Sequence, residues 1–125
     1  MSDKHILIVE DEPDGADLVL RMLRATGQPT AVADNAESAF EMLMAAPDSY
    51  KGVLIDLALP QMDGFELMTL IRNTQGVQHL PLIAMTAFHT PELRVRALEN
   101  GFDAYFPKPL DTTIFASSLA RVLKD

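Results

Sequence analysis

Short apolar runs alternate with helical patterns along this chain, five times over and at nearly even spacing. His5-Ile6-Leu7-Ile8-Val9 is an uninterrupted, β-branched run, the pattern of a strand covered on both faces. Behind Pro13, the residues Ala16, Val19, Leu20 and Leu23 recur at the spacing of one helix face, and Gly27 closes that helix. Pro29 to Ala33 reads as a shorter, weaker strand. Asn35 caps a second helix with the stripe Ala36, Ala39, Phe40 and Leu43. Gly52-Val53-Leu54-Ile55-Asp56 is the third strand. Asp63 and Glu66 then stand at capping-box spacing ahead of Leu67, Met68 and Ile71. Leu82 to Met85 is the fourth strand. Thr90, Pro91 and Glu92 open a helix that ends at Asn100-Gly101. Asp103 to Phe106 is the fifth strand, and Asp111 caps a last helix carrying Phe115, Leu119 and Val122.

Strict alternation of five strands with five helices predicts an α/β, doubly wound parallel sheet with helices on both faces. A length of 125 residues, uninterrupted by any linker, predicts one domain over residues 1–125. In such sheets, chemistry gathers beyond the carboxyl ends of the strands, near the switch in strand order. The last residue of each strand is therefore where function is to be sought.

Composition narrows the classes. The absence of cysteine removes disulfides, thiolate metal sites and thiol catalysis. A net charge of −8 repels phosphate backbones, which argues against direct nucleic-acid binding. Apolar runs of only a few residues argue against a membrane span. The expectation is a soluble, cytoplasmic domain.

At the rim of the sheet, strand one ends in Glu10-Asp11, strand three in Asp56 and strand four in Thr86-Ala87. Strand five runs into Lys108-Pro109. Converging carboxylates repel one another unless a proton or cation intervenes. An oxygen-only ligand set suits Mg²⁺. A lysine and a hydroxyl opposite would hold an anion, so the set as a whole suits phosphoryl transfer with aspartate as nucleophile.

Five motifs, in order and properly spaced, resemble the receiver domain of two-component response regulators from His5 to about Leu123. They are Ile8-Val9-Glu10-Asp11, Ile55-Asp56-Leu57-Ala58-Leu59-Pro60, Met62-Asp63-Gly64, Met85-Thr86-Ala87 and Tyr105-Phe106-Pro107-Lys108-Pro109. The resemblance implies a flavodoxin-like sheet of order 2-1-3-4-5. It makes Asp56 the phosphoacceptor, with Mg²⁺ held by Asp11, Asp56 and the backbone carbonyl of Ala58, and by Glu10 through a bound water. Lys108, Thr86 and Ala87 would contact the phosphoryl oxygens. Thr86 and Tyr105 would form the switch, the ring turning inward as Thr86 is drawn to the phosphoryl group. A cis Lys108-Pro109 bond is implied as well. The donor would be a histidine kinase or a histidine phosphotransfer protein. The output would be a protein target bound in trans through the Thr90–Asn100 helix, strand five and the last helix. A monomer, or a weak homodimer through that same surface, is expected. The implied role is that of a regulatory phosphoacceptor, which catalyses only its own phosphorylation and dephosphorylation.

Other readings fit less well. A flavodoxin-like electron carrier needs a neutral phosphate loop after strand one, where Glu10-Asp11-Glu12 would repel the cofactor. An aspartyl-phosphate phosphatase would want a second acid at position 58, which is alanine. A phosphorylation-independent interaction module would not need the complete acid pocket. Ala58 and Phe88 flank the expected path of a water attacking the phosphorus. Alanine cannot orient that water, and the Phe88 ring either covers the path or points outward to a partner. Both features predict a long-lived aspartyl phosphate if the ring lies inward. His5, His79 and His89 lack metal-ligand spacing, and His89 reads as a loop residue. Arg94 and Arg96 read as a solvated helix face. The sixteen residues after Pro109 leave room for one helix, so an output domain is not expected within this sequence. Met1 suggests an authentic start and a stand-alone receiver, with a piece of a longer protein as the alternative.

Overall fold

Both faces of the sheet's three inner strands are buried, which is why those strands read as apolar runs, while the two edge strands are only partly covered. The structure, a computed structural model, describes residues 4–123. Its elements in chain order are β1 (His5–Val9), α1 (Pro13–Arg24), β2 (Thr30–Ala33), α2 (Ala36–Ala45), β3 (Tyr50–Asp56), α3 (Gly64–Arg72), β4 (Leu82–Thr86), α4 (Pro91–Asn100), β5 (Ala104–Pro107) and α5 (Thr112–Val122). A single 3₁₀ turn, Pro47–Ser49, joins α2 to β3. All pairings are parallel and the strand order is β2-β1-β3-β4-β5, as the resemblance implies.

Alternation along each strand divides the core in two. Leu7, Val9, Val53, Ile55, Leu82 and Ala84 face α2, α3 and α4, whose Leu43, Leu67, Ile71 and Ala97 are fully buried. Ile6, Ile8, Leu54, Ile83 and Met85 face α1 and α5, where Val19, Leu23, Phe115 and Leu119 close the other layer. The expected stripes therefore are the buried ones, except that Leu20, Phe40 and Val122 lie at the half-buried edge.

Four predicted caps are made as hydrogen bonds. The Ser38 N–H donates to Asn35 Oδ1 at 2.7 Å, and the Leu93 N–H to Thr90 Oγ1 at 3.0 Å. The Thr113 N–H donates to Asp111 Oδ1 at 2.9 Å. Asp63 and Glu66 form the reciprocal pair, each side chain accepting from the other's backbone N–H at 2.9 Å. Each such cap satisfies a helix-end donor and is worth about 1 kcal/mol.

Strand ends differ from expectation by one or two residues. β3 begins at Tyr50 rather than Gly52, because Tyr50 pairs with His5 across a shift in register. β2 starts at Thr30, and β5 spans Ala104–Pro107. Far from the rim, the Arg72 guanidinium gathers the carbonyls of Gln78, Leu80 and Gly101 and the Asp103 carboxylate, tying the loops before β4 and β5 to α3. Among the described residues, no helix is long and apolar enough to cross a membrane.

Candidate functional site

The strand order decides where side chains can converge. The chain leaves β1 for β2 on one side and returns to β3 on the other, so the winding direction reverses between β1 and β3. Glu10 and Asp11 follow β1 directly, and Asp56 is the last residue of β3. Carboxylate oxygens of Glu10, Asp11 and Asp56 accordingly lie within 4.8 Å of one another. Glu10 is 2% exposed and Asp56 5%, while Asp11 is the most open of the three.

Lys108 reaches this cluster from the end of β5. Its backbone N–H donates to the Thr86 carbonyl at 2.8 Å, and its peptide bond to Pro109 is cis. The ammonium group donates to Glu10 Oε1 and, at 3.2 Å, to Asp56 Oδ2. Burial, and after it the closeness of Asp56, pushes the Glu10 carboxyl above its ordinary pKa, and the pull of Lys108 does not cancel this. Burial also works against the charge on Lys108. The hydrogen bond to Glu10 and the charges of Asp56 and Glu10 outweigh it, so the amine is held above its ordinary range. Asp56 Oδ1 accepts the Ala58 N–H at 2.9 Å, which fixes the carboxylate plane.

Two glycines make room for the acids. A methyl group at Gly64, the first residue of α3, would stand 2.7 Å from both the Asp56 carbonyl oxygen and Leu57 Cα. Both are backbone atoms and cannot swing aside. Gly64→Ala is therefore expected to destabilise the fold by about 1–3 kcal/mol, read as a lower denaturant midpoint at unchanged slope. A methyl group at Gly15, within α1, would stand 2.7 Å from Glu10 Oε1. Gly15 thus leaves space for a glutamate carboxylate, which is longer by one methylene than an aspartate.

Thr86 is 1% exposed, and its Oγ1 accepts the Phe88 N–H at 3.0 Å, which leaves the hydroxyl proton free to be donated. Ala87 is exposed beside it. Phe88 is 70% exposed, so of its two orientations the ring takes the outward one. An apolar cover over the acid cluster is not what Phe88 provides here. Tyr105 is buried, and its hydroxyl lies 2.9 Å from His89 Nδ1. Burial raises its pKa, against the opposing charge of Arg94. Arg94 and Arg96 are not only a solvated face. Their guanidinium carbons stand 5.9 Å from the Tyr105 ring centre and 4.1 Å from that of Phe65, respectively.

This geometry has counterparts. Residues 6–119 match the family model of the response regulator receiver domain. The chain belongs to that family. This receiver domain is 40% identical over 111 residues to an uncharacterized 14.6 kDa protein of Leptolyngbya boryana, covering 89% of this chain and 83% of that one. It is 32% identical over 117 residues to the Escherichia coli K12 transcriptional regulatory protein CusR, covering 94% of this chain but only 48% of CusR. A solved relative is the receiver domain of the Pseudomonas aeruginosa PAO1 sensor histidine kinase PA1611, with a magnesium ion coordinated in its active site cleft. The likeness there is 28% identity at a TM-score of 0.84, over 98% of both chains. The receiver fold is shared, and receivers serve two-component signalling as regulatory domains.

Of the residues singled out from the sequence, Glu10, Asp11, Asp56 and Lys108 form one cluster, with Ala58 bound to Asp56. Thr86 is joined to it through the Lys108 backbone. Tyr105 packs instead on His89 and Arg94. Sequence reasoning missed the roles of Gly15, Arg72 and His89. A glycine inside the first turn of a helix, where it costs stability, is the one signal that was available for Gly15.

Proposed function

We propose that Asp56 takes a phosphoryl group from a phosphohistidine on a histidine kinase or a histidine phosphotransfer protein. The convergence of three carboxylates on one lysine at the switch between β1 and β3 carries this reading. An Asp56 oxygen attacks phosphorus, a P–O bond forms, and the P–N bond breaks with its electron pair going to the histidine ring. The Asp56 carboxylate is pre-aimed by the Ala58 N–H. Lys108 transfers part of its hydrogen bonding from the acids to the incoming phosphoryl oxygens, and the Thr86 hydroxyl and Ala87 N–H supply further donors. Such preorganised charge carries most of the catalysis in phosphoryl transfer.

Glu10, Asp11, Asp56 and the Ala58 carbonyl would hold Mg²⁺. The donor set fits, being oxygen only, acidic and clustered, and the PA1611 receiver holds that ion in its cleft. Mg²⁺, when bound, neutralises charge that would otherwise repel the phosphate. Thr86 and Tyr105 then report occupancy to the surface of α4, β5 and α5, where Val95, Leu98 and Ile114 are exposed apolar residues. A protein target binds there in trans, or a second copy binds weakly through the same surface. The activity belongs in the cytoplasm, and the domain acts on no substrate besides its own aspartate.

The test is incubation with a small acyl phosphate and Mg²⁺, followed by reductive trapping and peptide mapping. One phosphoryl group per chain, on Asp56, is the expected result. No adduct under these conditions would leave a phosphorylation-independent interaction module as the better reading.

Lifetime is a separate expectation. Ala58 has no group to orient an attacking water, and positioning is a large part of such catalysis. Ala58→Asn combined with Phe88→Glu should shorten the life of the labelled protein in excess Mg²⁺. Because Phe88 points outward, the Ala58→Asn change should carry most of the effect. Equal or slower decay in the double variant would remove both positions from rate control.

A further inference from the structure

The segment between β4 and α4 is fastened at both ends by threonine hydroxyls. Thr86 Oγ1 holds the Phe88 N–H, and Thr90 Oγ1 holds the Leu93 N–H. Between them stands His89, an exposed residue whose Nδ1 lies 2.9 Å from the Tyr105 hydroxyl, with ring centres 5.5 Å apart. Tyr105 is 4% exposed, so its hydroxyl has been withdrawn from water and needs a partner inside the protein. A phenol both donates and accepts, so either tautomer of His89 makes this bond. Arg94, one turn into α4, sets its guanidinium toward the same ring.

We infer that His89 is a positioning residue, a latch that holds the Tyr105 ring inward and ties it to the loop beginning at Thr86. The inference rests on the reading of Asp56 as phosphoacceptor and adds the element that biases its switch. Two packings of Tyr105 differ in how well they accommodate a phosphoryl group only if something in the chain distinguishes them. His89 supplies that difference from the loop side. By linkage, whatever favours the inward ring in the free chain also raises affinity for a phosphoryl group at Asp56, and the reverse holds equally. His89 lies outside the acid cluster, so its removal leaves the Asp56 chemistry intact while weakening the coupling.

Ring-labelled tyrosine NMR tests this directly, because the chain has only Tyr50 and Tyr105, and Tyr50 on β3 serves as internal reference. In His89→Ala the Tyr105 ring signals should move toward solvent-exposed values while those of Tyr50 stay. Affinity for beryllium trifluoride with Mg²⁺ should fall about two- to tenfold, the range set by one net hydrogen bond. His89→Asn should restore both, since its carboxamide reaches the place of Nδ1. Tyr105→Phe, which keeps the ring and deletes the hydroxyl, should lose affinity like His89→Ala. Unmoved Tyr105 signals in His89→Ala would overturn the latch. Moved signals with unchanged beryllium trifluoride affinity would overturn its coupling to Asp56. The ring measurement needs no phosphoryl group, so it stands apart from any failure of Asp56 to label.

Discussion

Asp56→Asn should abolish the acyl-phosphate adduct altogether while leaving the chain folded. The amide is nearly isosteric and its oxygen still accepts the Ala58 N–H, now made at 2.9 Å to a carboxylate. It is a poor nucleophile, however, and no neighbouring acid has the same placement at the end of β3. The variant also removes one of the carboxylates that meet within 4.8 Å. Mutual repulsion is thereby relieved, at the expense of the Lys108 contact at 3.2 Å. Metal binding should weaken in parallel. A ligand that binds only the folded state stabilises it by about 2.7 kcal/mol at a hundredfold excess over its Kd. Mg²⁺ should therefore raise the melting temperature of the native chain and have much less effect on Asp56→Asn. EDTA should erase both the native increment and the native labelling. Full labelling of the Asn variant would move the phosphoacceptor elsewhere.

Much of this was readable in the sequence because periodic features leave periodic traces. Strands buried on both faces show as apolar runs, and the stripes containing Val19, Leu43, Ile71 and Phe115 show the helix period. Caps are local, spanning two or three residues, and Asn35, Asp63, Thr90 and Asp111 could each be read in place. Strand ends were less legible. Polar residues such as Lys51 can occupy the amino end of β3, where register and not hydrophobicity extends the ladder. The convergence of Glu10, Asp11, Asp56 and Lys108 required the strand order, which came from likeness to a family and not from spacing. Single contacts between distant loops leave no trace of either kind. His89 meets Tyr105 sixteen residues away, and Arg72 meets Gly101 and Asp103 across about thirty, through tertiary placement alone.

Lys108→Met should produce the second large effect, in both chemistry and stability. The methionine keeps most of the stem's apolar volume and deletes the ammonium that serves Glu10 and Asp56. Removing a preorganised donor from a developing anion typically costs about 10²-fold in rate, so labelling by an acyl phosphate should slow by that order. Stability should fall by about 3 kcal/mol at neutral pH in metal-free buffer, the lower end for orphaning one side of a buried ion pair. The pH dependence gives the sharper signature. Glu10 already has a folded-state pKa above its ordinary 4.5. Its folded form binds protons more tightly than the unfolded chain, so stability falls as pH rises from that ordinary value through the raised one. Without Lys108 nothing opposes the burial and the Asp56 charge, the Glu10 pKa rises further, and the decline becomes deeper and extends to higher pH. The native chain should show an additional loss in alkali. Its Lys108 pKa is raised above 10.5, so the stability that this group contributes is complete below that value and disappears as pH passes the raised one. Lys108→Met should lack this contribution and keep only the alkaline loss that the raised Tyr105 pKa gives both chains. Denaturant midpoints collected from mild acid to strong alkali, with chelator present, would show both differences. A variant profile running parallel to the native one, with labelling at the native rate, would place Lys108 outside the site.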